Sequence, residues 1–325
     1  MTLAAWADFS DQLDDADVRV REEHPSVVLR DLAGRRLPSG HVITFANEKG
    51  GVGKSTLAFH TAIALSHQGL KVLVVDCDRR QQSIHRLLEA RDATARTLKV
   101  ALPRPLHFAL ERASGAILCQ EIDRVAPDAD VVVIDLAGHD SPIARRGIAL
   151  ADTVVTPVNC SHADLDPIGR MNPVSHKFKQ AGPFAEVVGE LRDQRAAMGI
   201  VPFDWVVIKN RMRNCEQRLI ASVDQSLATM AGQLGFRLAQ GLTERLAYRD
   251  LLPFGLSHMD LKLIPQLGQL RAAQAREMRQ LMIDLQLPEF ARGEGRKPAK
   301  AAPVLAKCER NYRDSLYAAT SAVAG

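Results

Sequence analysis

Cysteine is scarce in this 325-residue chain. The five residues (Cys77, Cys119, Cys160, Cys215, Cys308) are odd in number, scattered, and without metal-ligand spacing. That excludes a disulfide framework or a cysteine metal knot and points to a reduced, cytoplasmic protein. Aromatic residues are only 5% of the chain, with two Trp and three Tyr. No aromatic residues alternate with basic ones, so the sequence does not support a surface for stacking single-stranded bases. No window holds 18 uninterrupted apolar residues, the length a membrane-spanning helix needs. The N-terminus is acidic and lacks a basic head before an apolar run, so a secretory leader is not expected. Charge of one sign is also lacking: 42 Lys and Arg stand against 38 Asp and Glu. The balance is uneven, however. Residues 1–40 hold five Arg and eight Asp or Glu, a net of −3, and residues 291–325 hold seven Lys or Arg and three Asp or Glu, a net of +4.

What remains is ordinary for a globular protein: 46% hydrophobic and 25% charged. Short apolar runs bounded by turn residues recur: His41 to Asn47, Lys71 to Asp76, Asp130 to Asp135, Thr153 to Pro157 and Asp204 to Lys209. Such runs read as strands buried on both faces. Helical spacing separates them. Ser55 to Gln68 carries Leu57, Ala58, Thr61, Ala62 and Leu65 on one period, with Gly69 closing the helix. Gln82 to Arg91 also reads as helix, and Ser141-Pro142 as an N-cap with proline at the first helical position. Two later helices are expected over residues 215–235 and 264–286, the second with a partial stripe of Leu267, Leu270, Leu281 and Leu285. The fold class that follows is α/β, a doubly wound and mostly parallel sheet with helices on both faces. Residues 1–40 read as an N-terminal extension with room for one short helix. Residues 41–290 read as the sheet domain, and 291–325 as a basic, flexible tail whose residues 304–320 could form only a weak helix.

The informative segment is Glu48-Lys49-Gly50-Gly51-Val52-Gly53-Lys54-Ser55-Thr56, set between an expected strand and an expected helix. Glycines let the backbone wrap a phosphate with its N–H groups inward, and the helix start adds a positive dipole end. Lys54 would reach the β- and γ-phosphates and the Ser55 hydroxyl a Mg²⁺. The usual phosphate-loop pattern fails at its first glycine, which is Glu48 here. What stands is the deviant Walker A form of a P-loop NTPase, with an extra lysine, Lys49. A second lysine so close to Lys54 would be repelled in an empty site and makes sense if it meets phosphate charge, across a dimer interface for example. Asp76 and Asp78 close the second strand, where such sheets place ligands. Asp135 closes the third with the form of a Walker B aspartate, and Gly138 follows it.

With these residues together, the chain resembles the ParA/MinD family of dimerising ATPases, and within it the MipZ branch that positions the division plane. The resemblance runs in order through NEKGGVGKST (47–56), DCDRRQQS (76–83), VTPVN (155–159), DWVVIKNR (204–211) and GFRLAQGLTERLAYRDLLPFGLSHMDL (235–261), about residues 40–287. It implies ATP and ADP as ligands with Mg²⁺, a homodimer in the ATP state, and slow, dimer-activated hydrolysis. It implies that Lys49 reaches the partner's nucleotide. Gly50, Gly51, Val52, Gly53, Lys54, Ser55 and Thr56 would bind phosphates. Asp78 would orient the attacking water; Ser55, Asp76 and Asp135 would serve the metal; Arg80 and Gly138 would lie in the switch loops; and Asn210 would bond the adenine. Lys209, Arg211, Arg213, Arg218, Arg237, Arg245 and Arg249 would form a sequence-independent surface for duplex DNA. The implied partners are a ParB-type centromere-binding protein and FtsZ, with a nucleoid-associated cytoplasmic location and no membrane partner. Two departures stand out. Arg80 occupies a position where many relatives carry glutamine, and Leu136-Ala137-Gly138 replaces the usual Thr-Pro-Gly. Other users of this loop fit less well. A nitrogenase-type reductase needs a cysteine soon after Asp135, and the next is Cys160; a bacterial tyrosine kinase needs a tyrosine-rich tail, and this one has Tyr312 and Tyr317. A partition ATPase that moves a plasmid, chromosome or other cargo is the alternative within the family.

Overall fold

A computed structural model describes residues 24–111, 115–172, 175, 177–211, 217–243, 250–264 and 272–287. Its strands are β1 (His41–Phe45), β2 (Val72–Asp76), β3 (Leu106–Ala109), β4 (Val131–Asp135), β5 (Thr153–Val158), β6 (Gly169–Met171), β7 (Phe178–Ala181), β8 (Asp204–Lys209) and β9 (Arg237–Gln240). Its helices are α1 (Pro25–Ala33), α2 (Lys54–His67), α3 (Ser83–Leu98), α4 (Gly115–Val125), α5 (Pro142–Leu150), α6 (His162–Leu165), α7 (Pro183–Ala197), α8 (Gln217–Leu234) and α9 (Ala272–Asp284). Seven strands form one sheet in the order β3-β2-β4-β1-β5-β8-β9. Every pairing in it is parallel. The expected doubly wound α/β sheet is therefore present. β6 and β7 form a separate antiparallel hairpin.

The period-two alternation of each strand feeds two cores. In β4, Val132 and Ile134 pack into one layer with α1, α4, α5, α7 and α8, whereas Val131 and Val133 pack into the other with α2 and α9. This is why the β2 and β4 runs carry no polar alternation: both faces are covered. A third cluster joins the end of α3 to the segment 251–264 through Ala95, Val100, Leu102, Leu251, Leu256 and Ile264.

Local chemistry sets the helix ends. Ser141 Oγ accepts from the Ala144 N–H at 3.2 Å, and Pro142 fills the first turn of α5, where its missing N–H costs nothing. At the end of α2, Gly69 takes φ +85°. The short helix allowed for within residues 1–40 is α1. It lies on the body of the domain, with Val28, Leu29 and Leu32 buried against the layer that contains α5 and α7, and Asp31 3.4 Å from Arg146 of α5.

Several elements went unread in the sequence. β3 and β9 are the two edges of the sheet, and their mixed polar composition hides them. α3 runs past Arg91 to Leu98. Of the stripe expected in the last helix, Leu281 and Leu285 are buried. Leu267 and Leu270 lie outside the described residues, as does the segment 304–320.

Candidate nucleotide site

All the expected phosphate-handling residues meet at one edge of the sheet. β1 leads into the glycine loop, β2 into Asp76 and Asp78, β4 into Asp135 and Gly138, and β8 into Asn210. Because the strands are parallel, these turns share the carboxyl end, the place where a doubly wound sheet leaves a crevice. The register is tight: Asp76 lies directly opposite Asp135, and Phe45 opposite Asp135 on the other side.

The loop has the conformation its glycines allow. Gly51 and Gly53 take φ +75° and +91°, and Gly53 is the N-cap of α2. Lys54 is buried, and its Nζ donates to the Lys49 carbonyl at 3.2 Å. Burial pulls the Lys54 ammonium below its ordinary range, while Asp135 and Asp78 pull it back. A Cβ on Gly138 would sit 3.2 Å from Lys54 Nζ and 3.6 Å from Gly50 Cα. The turn after β4 therefore touches the phosphate loop, and a side chain there would press on the Lys54 ammonium.

Asp135 is fully buried, and burial pushes its carboxyl up to about 8 against the Ser55 hydroxyl bond that lowers it. Among the described residues its Oδ1 has no hydrogen-bond partner. A buried carboxylate oxygen without a donor is costly unless a cation or its water answers it. With the Ser55 hydroxyl on the same carboxylate, the oxygen donors present fit Mg²⁺. Asp76 is held by backbone donors: Asp78 N–H donates to Oδ1 at 2.9 Å and His85 N–H to Oδ2 at 3.1 Å. It thus braces the loop between β2 and α3, a task the sequence did not show. Burial raises its carboxyl, and those backbone donors hold it back. Asp78 Oδ1 in turn accepts from the N–H groups of Arg80 and Gln81 at 3.1 and 3.0 Å. Arg80 is exposed beside it.

The two lysines part company. Lys54 turns inward, whereas Lys49 Nζ pairs with Asp164 of α6 at 2.9 Å and donates to the Ala163 carbonyl at 3.3 Å. The repulsion expected between them in an empty site is thereby avoided. Asp164 was not legible from the sequence: it lies 115 residues away on a four-residue helix.

The residues expected at duplex DNA separate. Lys209 pairs with Asp224 at 2.8 Å and its side chain is 12% exposed. Arg237 is bound to Asp204 and donates to the Asp284 carbonyl at 2.9 Å. Both are thus ion-paired within the chain. Arg211 lies on the phosphate loop, its Nη1 donating to the Gly51 carbonyl at 2.8 Å. Arg213, Arg245 and Arg249 lie outside the described residues, and the Arg218 side chain does too. Asn210 is buried at the site. Its Nδ2 donates to the Val52 carbonyl at 2.8 Å, and its Oδ1 accepts from Leu242 N–H at 3.3 Å.

A glycine loop at a helix start, a buried inward lysine and an orphaned strand-end carboxylate at a parallel sheet's carboxyl edge define a P-loop nucleotide-binding protein of the ParA/MinD class. The family model for ATPase MipZ matches residues 41–289, and the chain belongs to that family. Among curated proteins, ParA of Rhizobium radiobacter is 31% identical over 117 residues, covering 36% of this chain and 48% of its own length. The chromosome-partitioning ATPase Soj of Thermus thermophilus is 28% identical over 144 residues, covering 39% of this chain and 57% of its own. The chain thus spans about half the length of the curated relatives it matches. A plasmid partition protein of Borrelia burgdorferi, solved with AMPPNP, shares the fold at a TM-score of 0.50 and 16% identity, over 76% of this chain and 98% of that one.

Proposed function

We propose that the chain is an ATP-driven dimerising switch that binds duplex DNA without sequence preference and positions the division plane by regulating FtsZ assembly. The observation that carries this reading is the opposed setting of the two lysines. Lys54 lines the chain's own phosphate loop, whereas Lys49 is held outward by Asp164. The lysine side of this pair is exposed and the aspartate side buried, so phosphate charge on a partner's nucleotide would compete with Asp164 for the Lys49 ammonium.

In this reading the N–H groups of Gly50, Gly51, Val52 and Gly53, with Lys54, Ser55 and Thr56, bind the phosphates of ATP or ADP. Asn210 takes the adenine edge. Ser55, Asp135 and Asp76 hold Mg²⁺, which when bound neutralises phosphate charge in the transition state. Asp78 orients the attacking water. Its carboxylate caps the Arg80 and Gln81 turn, so water positioning and the loop's shape are coupled. Gly138 reports phosphate occupancy to α5 through its contact with the loop. Part of the site comes from the second subunit, which makes hydrolysis slow until the dimer forms.

DNA contacts are charge-based, and two copies double them. Beside Lys209 and Arg237, the described surface offers Arg170, Lys177 and Lys179, exposed on the β6–β7 hairpin and carrying no ion pair among the described residues. They join Lys209, Arg213, Arg218, Arg237, Arg245 and Arg249 as the DNA-facing set. The hairpin follows directly after α6, the helix that holds Lys49. A ParB-type centromere-binding protein and FtsZ are the protein partners of this reading, with nucleoid association as its location. No described helix is long and apolar enough to cross a membrane.

The likeness to ParA and Soj favours one second reading, a partition ATPase that positions a plasmid, chromosome or other cargo. Depleting the protein in its host while imaging FtsZ rings and chromosome origins separates the two. Division positioning predicts misplaced rings and septa with origins still segregated. Lost or misplaced cargo with rings at their normal place would contradict it.

A further inference from the structure

The dipeptide that follows β8 grips the phosphate loop from outside. Asn210 Nδ2 donates to the Val52 carbonyl at 2.8 Å, and Arg211 Nη1 to the Gly51 carbonyl at 2.8 Å. These are two successive carbonyls in the middle of the loop. A trans peptide points its C=O and N–H in opposite directions. The Gly51 carbonyl shares its peptide with the Val52 N–H, and the Val52 carbonyl with the Gly53 N–H. Pinning both carbonyls on the outside therefore aims both N–H groups inward, toward the place a phosphate takes. Among the described residues neither N–H finds a protein acceptor. The left-handed φ values of Gly51 and Gly53 complete an anion nest.

The grip is itself anchored. Asn210 N–H donates to Val158 at 2.7 Å and Arg211 N–H to Leu242 at 2.8 Å. Arg211 takes φ +52°, a left-handed setting that a non-glycine residue holds at a cost of about 1–3 kcal/mol unless its surroundings impose it. That setting accompanies a side chain turned back onto the loop. The Arg211 Nε lies 3.7 Å from where a Gly53 Cβ would stand.

We propose that Arg211 is a positioning residue for nucleotide binding: its guanidinium fixes the Gly51–Val52 peptide so that the Val52 N–H is already aimed at phosphate before nucleotide arrives. This rests on the reading of the loop as the nucleotide site. It reassigns Arg211 from the DNA surface to the phosphate nest. Preorganisation of the nest serves ATP and ADP alike, because it acts on the loop and not on the γ-phosphate. It serves binding and not the chemical step.

The test is calorimetric titration of the full chain with ATP–Mg²⁺ and with ADP, beside steady-state hydrolysis and duplex-DNA binding at saturating ATP. Arg211→Asn is the variant of choice, because Asn tolerates the left-handed backbone and the fold is kept. Arg211→Lys retains charge and a donor without the planar fork. Arg211→Asn is expected to weaken ATP and ADP by the same factor, roughly tenfold, the size of one charge-assisted hydrogen bond. KM should rise by a like factor, kcat should hold, and DNA affinity at saturating ATP should be unchanged. Arg211→Lys should recover part of the loss. Wild-type nucleotide affinity in Arg211→Asn, or a fall in kcat or DNA affinity alone, overturns the inference. A wild-type chain that binds no nucleotide overturns the parent reading and this one with it.

Discussion

Lys54→Ala is expected to move the thermal stabilisation that ATP confers to roughly 10- to 150-fold higher ATP concentration while leaving the melting point of the ligand-free chain nearly unchanged. The reasoning runs through burial. Lys54 is 8% exposed, and its ammonium is already pulled down by that burial. In the absence of nucleotide it costs desolvation and gains a single bond to the Lys49 carbonyl. Truncating it therefore removes little stability. In the proposed function the same ammonium meets the β- and γ-phosphates from inside a partly dry site, where a charge-assisted bond contributes about 1.5–3 kcal/mol. That corresponds to roughly 10- to 150-fold in Kd. Differential scanning fluorimetry over an ATP–Mg²⁺ series checks it, since a ligand that binds only the native state raises the melting point with concentration. An unchanged ATP-induced shift in the variant would show that the loop is not the nucleotide site.

The second large effect concerns the frame behind the site. Arg91 and Asp260 form a buried, bidentate ion pair at 2.6 and 2.7 Å, with side chains 1% and 0% exposed. Asp260 Oδ2 also accepts from the Ser257 N–H at 2.7 Å, and His67 Nε2 lies 2.8 Å from Oδ1. The pair ties α3 to the 3₁₀ turn His258–Lys262, and His67 ties that turn to α2. α2 carries the phosphate loop at its start, and α3 carries the brace on Asp76. Asp260→Ala leaves a buried guanidinium unanswered and is expected to cost about 3–5 kcal/mol. Urea unfolding followed by circular dichroism measures it. A pH dependence accompanies it. Burial alone would raise the Asp260 carboxyl, but the Arg91 and His67 bonds override it and pull it to about 2 from an ordinary 3.8. Its folded-state pKa is depressed. The stability it contributes is thus fully present above about pH 3.8 and is lost as pH falls from there through about 2. Asp260→Asn should show a shallower acid limb between those values. An equal limb would place the acid sensitivity elsewhere.

The site was legible in the sequence where its chemistry is local. Glycines at fixed offsets, a lysine and a hydroxyl in one nonapeptide declare the phosphate loop, because the backbone itself is the ligand. The uninterrupted runs before Asp76 and Asp135 declare strands covered on both faces, and strand ends are where such sheets put carboxylates. What escaped was contact across distance. Lys49 pairs with Asp164, and Asn210 and Arg211 hold the loop carbonyls from 158 and 160 residues away. No periodicity or spacing encodes such pairs. Arg211 sits in a run of basic residues and reads as surface charge; its positive φ, visible only in the backbone, is what turns it onto the loop. The partners of Lys209 and Arg237, Asp224 and Asp204, are likewise brought to them by α8 and by strand pairing. The buried Arg91 and Asp260 look like surface residues for the same reason. The edge strands β3 and β9 lack the apolar density that marks an interior strand.

The central claim is that nucleotide state sets assembly through Lys49. Size-exclusion chromatography with light scattering, on wild type and Lys49→Ala with ATP–Mg²⁺ or ADP, tests it most directly. The account predicts a wild-type dimer with ATP, a monomer with ADP, and a Lys49→Ala chain that binds ATP yet stays monomeric. A wild type that is monomeric in every state, or a Lys49→Ala chain that dimerises with ATP as wild type does, would contradict it.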